Sequence, residues 1–286
     1  MPNSTYLSVI VPAYNEVKSI ARAIDAMRAY LDRQPYTYEI IVSADGNDGT
    51  RERVAEMAKN DPRLTVIGSA ERGGKGRGIR NGVARAKGQI IGFADADYKT
   101  PIEELDKVLP WLDKGYDVAI GSRATPDAQV ERAQPMYRRV GSKVFGAIVH
   151  TLLGLGHVPD TQCGFKFFRR RAALDIFGRQ KIDGYMFDIE ILRLTKRLGY
   201  KLKNVGVRWQ DDGDSRYDPI GGTWKNFKEL ARIRFMRYDD DEACRWDGDS
   251  AREQTSASAA TIGGSPITVT VSVPQELQTA GAARGK

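Results

Sequence analysis

A chain of 286 residues, 41% hydrophobic and 28% charged, buries enough apolar surface for one large domain or two small ones, which excludes disorder throughout. Lys and Arg (44) outnumber Asp and Glu (37), and the net charge of +7 makes a polyanion the expected partner: a phosphorylated substrate, an anionic membrane surface or nucleic acid. Two cysteines, Cys163 and Cys244, exclude a disulfide framework, lack the spacing of a zinc site and fit a reducing compartment.

The opening residues show no charged region followed by a long apolar core, so no secretory signal is expected. Short Val- and Ile-rich runs then recur with helical patterns between them: Leu7 to Val11, Glu39 to Val42, Leu64 to Ile67, Gln89 to Phe93 and Asp117 to Ile120. This rhythm predicts βαβ units and a mostly parallel sheet flanked by helices, with ligands bound beyond the carboxyl ends of the strands. Polar loops follow the runs at those ends: Pro12 to Glu16, Ala44 to Asp48, Asp95 to Asp97 and Gly121 to Arg123.

The second half reads as a helix over Met136 to Leu155, a strand at Phe165 to Phe168 and helices at Arg171 to Phe177 and Phe187 to Leu198. A strand at Lys203 to Trp209 and a basic helix over Thr223 to Tyr238 complete it. Before residue 239 the longest stretch without Lys, Arg, Asp or Glu, Val144 to Pro159, has 16 residues. That is short of the roughly 20 needed to span a bilayer, so no membrane-spanning helix is expected. From Asp239 to Lys286 the composition turns to Asp, Ser, Ala, Gly and Thr, and a mostly disordered acidic tail is expected after a domain over 1–238. The tail contributes −4, so the residues before it carry +11.

Gly73 to Gly78 lacks the order of a P-loop, and the first βα turn lacks the glycines of a dinucleotide site. The stretch is either a flexible connection or a place where Lys75, close to a helix start, meets a phosphate. Asp95-Ala96-Asp97 is the strongest chemical pattern. Carboxylates at i and i+2 point the same way in an extended chain, and their hard oxygens suit one Mg²⁺ or Mn²⁺. Asp-x-Asp also occurs at Asp212/Asp214, Asp239/Asp241 and Asp247/Asp249, but only Asp95/Asp97 follows a buried-looking strand and precedes a helix start. His150 and His157 receive no role.

Val11-Pro12-Ala13-Tyr14-Asn15-Glu16, Asp45-Gly46, Gly74-Lys75-Gly76, Asp95-Ala96-Asp97, Gly121-Ser122-Arg123, Asp160 to Lys166 and Phe187 to Glu190 together resemble glycosyltransferase family 2. Within it the chain is most similar to the dolichyl-phosphate (polyprenyl-phosphate) β-glucosyltransferase branch, with dolichyl-phosphate mannosyltransferases as cousins. The resemblance implies a GT-A fold and an inverting, metal-dependent transfer of a hexose from a nucleotide-diphosphate sugar to a polyprenyl phosphate. UDP-glucose is the leading donor, with GDP-mannose open. It places Pro12, Tyr14, Glu16, Asp45, Lys75 and Ala96 around the nucleotide and gives Asp95 and Asp97 the metal and diphosphate. Arg123 and Arg216 match basic positions that grip phosphates. Asp160, Gln162, Asp188 and Glu190 are expected to face the sugar or acceptor. A phosphate acceptor needs no general base; for a hydroxyl acceptor Asp188 is the first candidate, then Asp160. The family's usual Asp-Asp-Gly-Ser appears here as Ala44-Asp45-Gly46-Asn47, which leaves the nucleobase open.

Two helices combine apolar stripes with basic residues: Tyr137, Val140, Val144, Ile148 and Leu152 with Arg138, Arg139 and Lys143, and Trp224, Phe227, Ala231 and Phe235 with Lys225, Lys228 and Arg232. Such stripes pack on a sheet or lie in the headgroup plane of an anionic membrane. The expected location is cytoplasmic, peripheral on the cytoplasmic membrane face, with no nucleic-acid partner. A non-enzymatic basic binding module is the competing class, and it leaves Asp95 and Asp97 without a task.

Overall fold

The computed structural model describes residues 4–131, 146–210 and 221–238, without the side chains of 221–227. The Val and Ile runs become β1 (Leu7–Tyr14), β2 (Tyr38–Asp45), β3 (Leu64–Ile67), β4 (Ile90–Ala94) and β5 (Val118–Ser122). Between them lie α1 (Ile20–Leu31), α2 (Thr50–Ala58), α3 (Lys75–Arg85) and, after a 3₁₀ turn at Ile102–Glu104, α4 (Leu105–Asp113). The second half adds β6 (Gln129–Val130), α5 (helical over 146–153), β7 (Phe165–Arg169) and α6 (Arg170–Arg179). It ends with α7 (Phe187–Arg197), β8 (Leu202–Gly206), β9 (Arg208–Trp209) and α8 (Gly221–Phe235).

Seven strands form one sheet in the order β3-β2-β1-β4-β7-β5-β8, and β6 and β9 form a small second one. All neighbours in the large sheet run parallel except β7, which lies antiparallel between β4 and β5. Alternate residues of β1 enter opposite cores, because side chains change face at every residue of a strand. Leu7, Val9 and Val11 pack with Ile20, Ile24 and Met27 of α1 and Leu105 and Val108 of α4. Ile10 packs on the other side with Ile79 and Val83 of α3, Phe177 of α6 and Phe187 of α7.

The strand expected over Lys203 to Trp209 is two strands. After β8 leaves β5, Val207 donates its N–H to the Ser122 carbonyl and accepts from Gln129, passing the chain to β6. The helix expected over Met136 to Leu155 is described only from residue 146, and it stops before Gly154, whose φ of +67° is the left-handed conformation that ends helices. The amphipathic stripes are matched only in part, with Ile148 packed against the core and the side chains of Trp224 and Phe227 outside the described residues. In α5 the buried residues are Val149 and Leu153, while Leu152 is exposed; in α8 Leu230 and Ile233 are buried, while Ala231 and Phe235 face outward, Phe235 being 79% exposed. Among the described residues no helix is long and apolar enough to cross a membrane. The tail from Asp239, Cys244, Arg216 and the remaining Asp-x-Asp pairs lie outside the described residues.

Candidate active site

Parallel pairing brings the ends of β1, β2 and β4 to one edge of the sheet, the two antiparallel pairings of β7 bring the end of β5 to the same edge, and with them come Tyr14, Asp45, Asp95 and Arg123. The reversed direction of β7 adds the Asp160–Gly164 loop, because Phe165 at its start pairs with Ala94 at the end of β4. Helix α3 opens at the same edge, where Gly74 at φ +103° precedes Lys75.

Asp95 to Asp97 form a turn rather than the extended segment that the spacing suggests: Tyr98 donates its N–H to the Asp95 carbonyl at 3.2 Å and sits at φ +58°. Such left-handed backbone is uncommon outside glycine and is held only where surrounding structure enforces it. Ala96 is buried, and Asp97 projects outward with 40% of its side chain exposed. Lys75 Nζ lies 2.7 Å from Asp95 Oδ1, and Lys99 Nζ 3.6 Å from Asp97 Oδ2. Withdrawal from water and the neighbouring charge of Asp95 raise the pKa of Asp97. Burial disfavours the Lys75 charge, yet Asp95, with Asp188 behind it, outweighs that and holds its pKa up.

Gly164 is built into this arrangement. A Cβ there would meet Asp95 Oδ2 at 2.0 Å, so only glycine lets the carboxylate lie against the loop. Asp160 in the same loop accepts from Arg123 at three points: the backbone N–H at 2.9 Å, Nε at 2.7 Å and Nη2 at 2.9 Å. Burial opposes the Asp160 charge, but Arg123 prevails and lowers its pKa. The Arg123 guanidinium also stacks over Trp209, 5.4 Å from the ring centre. Gln162 lies exposed at the loop's tip, its N–H donated to Asp160 Oδ1.

At the other wall, Asp45 accepts the N–H groups of Ser69 and Gly73 at 3.2 and 2.7 Å, ordering the glycine-rich stretch. The α3 N-terminus is already occupied: Gly76 and Arg77 donate to the Asp183 carbonyl at 2.8 and 3.3 Å. A phosphate here would therefore meet the Lys75 ammonium and not the helix N–H groups. Arg72 lies over the Tyr14 ring at 4.4 Å, Pro12 is half-buried in β1, and Glu16 accepts from Ser19 Oγ at 2.6 Å.

Asp188 and Glu190 lie deeper. Asp188 Oδ1 accepts from Lys166 Nζ at 2.6 Å, Lys166 also donates to the Cys163 carbonyl at 2.7 Å, and both side chains are buried. Burial outweighs Lys166 and raises the Asp188 pKa. Glu190 is fully buried and faces no opening: it accepts from the backbone of Lys181 and Ile182 and from the Tyr238 hydroxyl. Lys166 escaped the sequence reading, although a lone lysine within Phe165-Lys166-Phe167-Phe168 is the mark of a buried charge that needs a partner.

Among the described residues no three His, Cys, Asp or Glu side chains converge as a metal cluster. Asp95 and Asp97 alone still suit a hard cation, since Mg²⁺-type sites commonly take one or two carboxylates and fill the rest with substrate phosphates and water. Asp95 Oδ1 is buried and held by the Lys75 ammonium at 2.7 Å, so a cation at this oxygen would share it with that counter-charge.

The sequence profile of Glycosyl transferase family 2 matches residues 8–177. A dolichyl-phosphate beta-glucosyltransferase of Trichomonas vaginalis is 34% identical over 247 residues, 81% of this chain and 72% of that protein. The Homo sapiens dolichyl-phosphate beta-glucosyltransferase is 32% identical over 81% of this chain and 75% of its own. Among solved structures, glucosyl-3-phosphoglycerate synthase from Mycobacterium tuberculosis, in complex with Mn²⁺, UDP and glucosyl-3-phosphoglycerate, superposes with a TM-score of 0.59 at 20% identity, over 80% of this chain and 78% of that one. Mannosyl-3-phosphoglycerate synthase from Rubrobacter xylanophilus gives 0.59 at 17% identity, over 96% and 80%. The match to more than half the chain, the relatives above 30% identity and the mostly parallel GT-A sheet agree: the chain belongs to glycosyltransferase family 2 and is a glycosyltransferase.

Proposed function

We propose that the protein transfers glucose from UDP-glucose to a polyprenyl phosphate of the dolichyl type, with inversion at the anomeric carbon, while lying on an anionic membrane surface. The observation that carries this reading is the Asp95–Asp97 turn with Lys75 against it, in a chain 34% and 32% identical to dolichyl-phosphate beta-glucosyltransferases. Asp95 and Asp97 would hold Mg²⁺ or Mn²⁺, which when bound supplies Lewis-acid stabilisation of charge on the departing diphosphate. The Mycobacterium tuberculosis synthase of the same fold was crystallised with Mn²⁺ and UDP.

Lys75 keeps its ammonium charged at the place where the diphosphate leaves, and the fixed orientation of that charge favours the transition state over the ground state. Asp160 aligns Arg123 beside the same edge, leaving Nη1 of the fork for an anionic group of donor or acceptor. Asp45 holds the loop on which Arg72 meets Tyr14, a shelf for the nucleoside. The acceptor phosphate oxygen is already anionic and attacks without a general base. Asp188, committed to Lys166, serves to shape the site. The outward-facing Phe235 beside Arg232 and Arg234, and exposed Leu152 on α5, support contact with anionic headgroups.

The test uses the full chain with radiolabelled UDP-glucose or GDP-mannose and dolichyl phosphate in anionic vesicles, with Mg²⁺, Mn²⁺ or EDTA. Metal-dependent formation of a β-linked glucosyl phospholipid is expected. Transfer from GDP-mannose alone, or only to a hydroxyl acceptor, overturns the assignment.

A further inference from the structure

Glu190 is a carboxylate in the first turn of α7 with no exposure to solvent, and three donors converge on it. Oε1 accepts from the Lys181 N–H at 2.8 Å and from the Tyr238 hydroxyl at 2.9 Å, and Oε2 from the Ile182 N–H at 2.8 Å. A buried carboxylate is costly unless each oxygen is satisfied, so this network has one low-energy geometry.

The groups it joins are far apart in the chain. Tyr238 follows α8 and is itself buried, its carbonyl accepting from Arg197 Nη2 at 3.0 Å, while Arg193 donates to the carbonyls of Ile233 and Arg234 at the end of α8. On the other side, Lys181 and Ile182 lead into Asp183, whose carbonyl takes the N–H groups of Gly76 and Arg77 and whose carboxylate pairs with Arg80 at 2.8 Å. There is no slack in that contact: a Cβ at Gly74 would stand 2.3 Å from the Asp183 oxygen, and one at Gly76 2.5 Å from the Ile182 oxygen. The residue between those glycines is Lys75, with its Nζ 2.7 Å from Asp95.

We infer that Glu190 is a positioning residue: by holding Tyr238 and the 181–182 backbone on one carboxylate, it ties the end of α8 to the loop that sets Lys75 in the donor site. This rests on the reading of Lys75 as a contact to the donor diphosphate. The Tyr238 hydroxyl is the one link that can be cut without touching the donor loop itself.

The experiment measures UDP affinity in the presence of Mn²⁺ by calorimetry, and donor KM and kcat, for the full chain, Y238F, E190Q and Y200F. Tyr200 donates to Asp175 of α6 at 2.8 Å, a like tyrosine–carboxylate bond that lies outside the Glu190 network. Y238F is expected to weaken UDP binding and to lower kcat, each about three- to tenfold, the worth of one hydrogen bond, because Lys75 acts on the departing diphosphate. E190Q is expected to do so more strongly. Y200F loses thermal stability with donor affinity unchanged. If E190Q does not fold, Y238F, lacking a single hydroxyl, carries the test. Wild-type UDP affinity in a folded Y238F, or an equal loss in Y200F, overturns the inference alone. A wild-type chain that binds no UDP overturns the reading of Lys75 and the inference with it.

Discussion

Arg123 and Asp160 meet as a fork on a fork, Nε to Oδ2 at 2.7 Å and Nη2 to Oδ1 at 2.9 Å, and so fasten the end of β5 to the loop that precedes β7. Asp160 is 7% exposed, so removing its charge leaves a guanidinium without its designed partner. D160N is expected to lower stability by about 3 kcal/mol at neutral pH. The folded-state pKa of Asp160 is depressed, so its contribution is present above the ordinary carboxylate pKa and disappears as pH falls through the folded value. Melting temperatures of wild type and D160N should converge on acidification; a gap that stays constant would remove the ion pair as its source.

Gly164→Ala places a methyl where Asp95 Oδ2 now lies, at 2.0 Å. Displacing a site carboxylate by about 1 Å costs on the order of 100-fold in rate. The variant is expected to fold, to bind Mn²⁺ more weakly by electron paramagnetic resonance and to lose activity on that scale.

Lys75→Met removes the counter-charge 2.7 Å from Asp95. Two opposite outcomes are expected together: tighter Mn²⁺ binding in the absence of nucleotide, since a competing cation is gone, and a fall in kcat of about 100- to 1,000-fold. Weaker Mn²⁺ binding would show that Lys75 supports the carboxylates instead of competing for them.

The buried Lys166–Asp188 pair gives a double-mutant test. Either K166M or D188N alone leaves a polar group stranded and is expected to cost about 3–5 kcal/mol, whereas K166M/D188L recovers much of that loss. Chemical denaturation of the three variants reads the result.

The parallel strands were legible because buried strands need apolar residues on both faces, and the Val and Ile runs supply them. Their ends ran on further than hydrophobicity suggests, since Pro12 to Tyr14 keep register with Ser43 to Asp45 although they are polar or loop-like. The position of Asp95 and Asp97 at the sheet edge was also legible; the turn between them was not, because it depends on Tyr98 adopting φ +58°. The α5 stripe was legible only in part: Ile148 packs on the core but Leu152 does not, since Ile148/Leu152 and Val149/Leu153 satisfy the helical spacing equally well and only tertiary packing chooses. Glu190 read as a site carboxylate for a similar reason: its type and place beside Asp188 say nothing of the three donors that enclose it.

The reversed course of β7 also dictates an order of assembly. During synthesis β1 to β4 can pair as they emerge, but β5 touches the large sheet only through β7 and β8, so the edge of β4 stays open until Phe165–Arg169 leaves the ribosome. An exposed strand edge invites pairing with other chains while it waits. A nascent chain stalled between Ser122 and Phe165 should therefore be a chaperone client, and the step that relieves it is the one that brings Gly164 against Asp95.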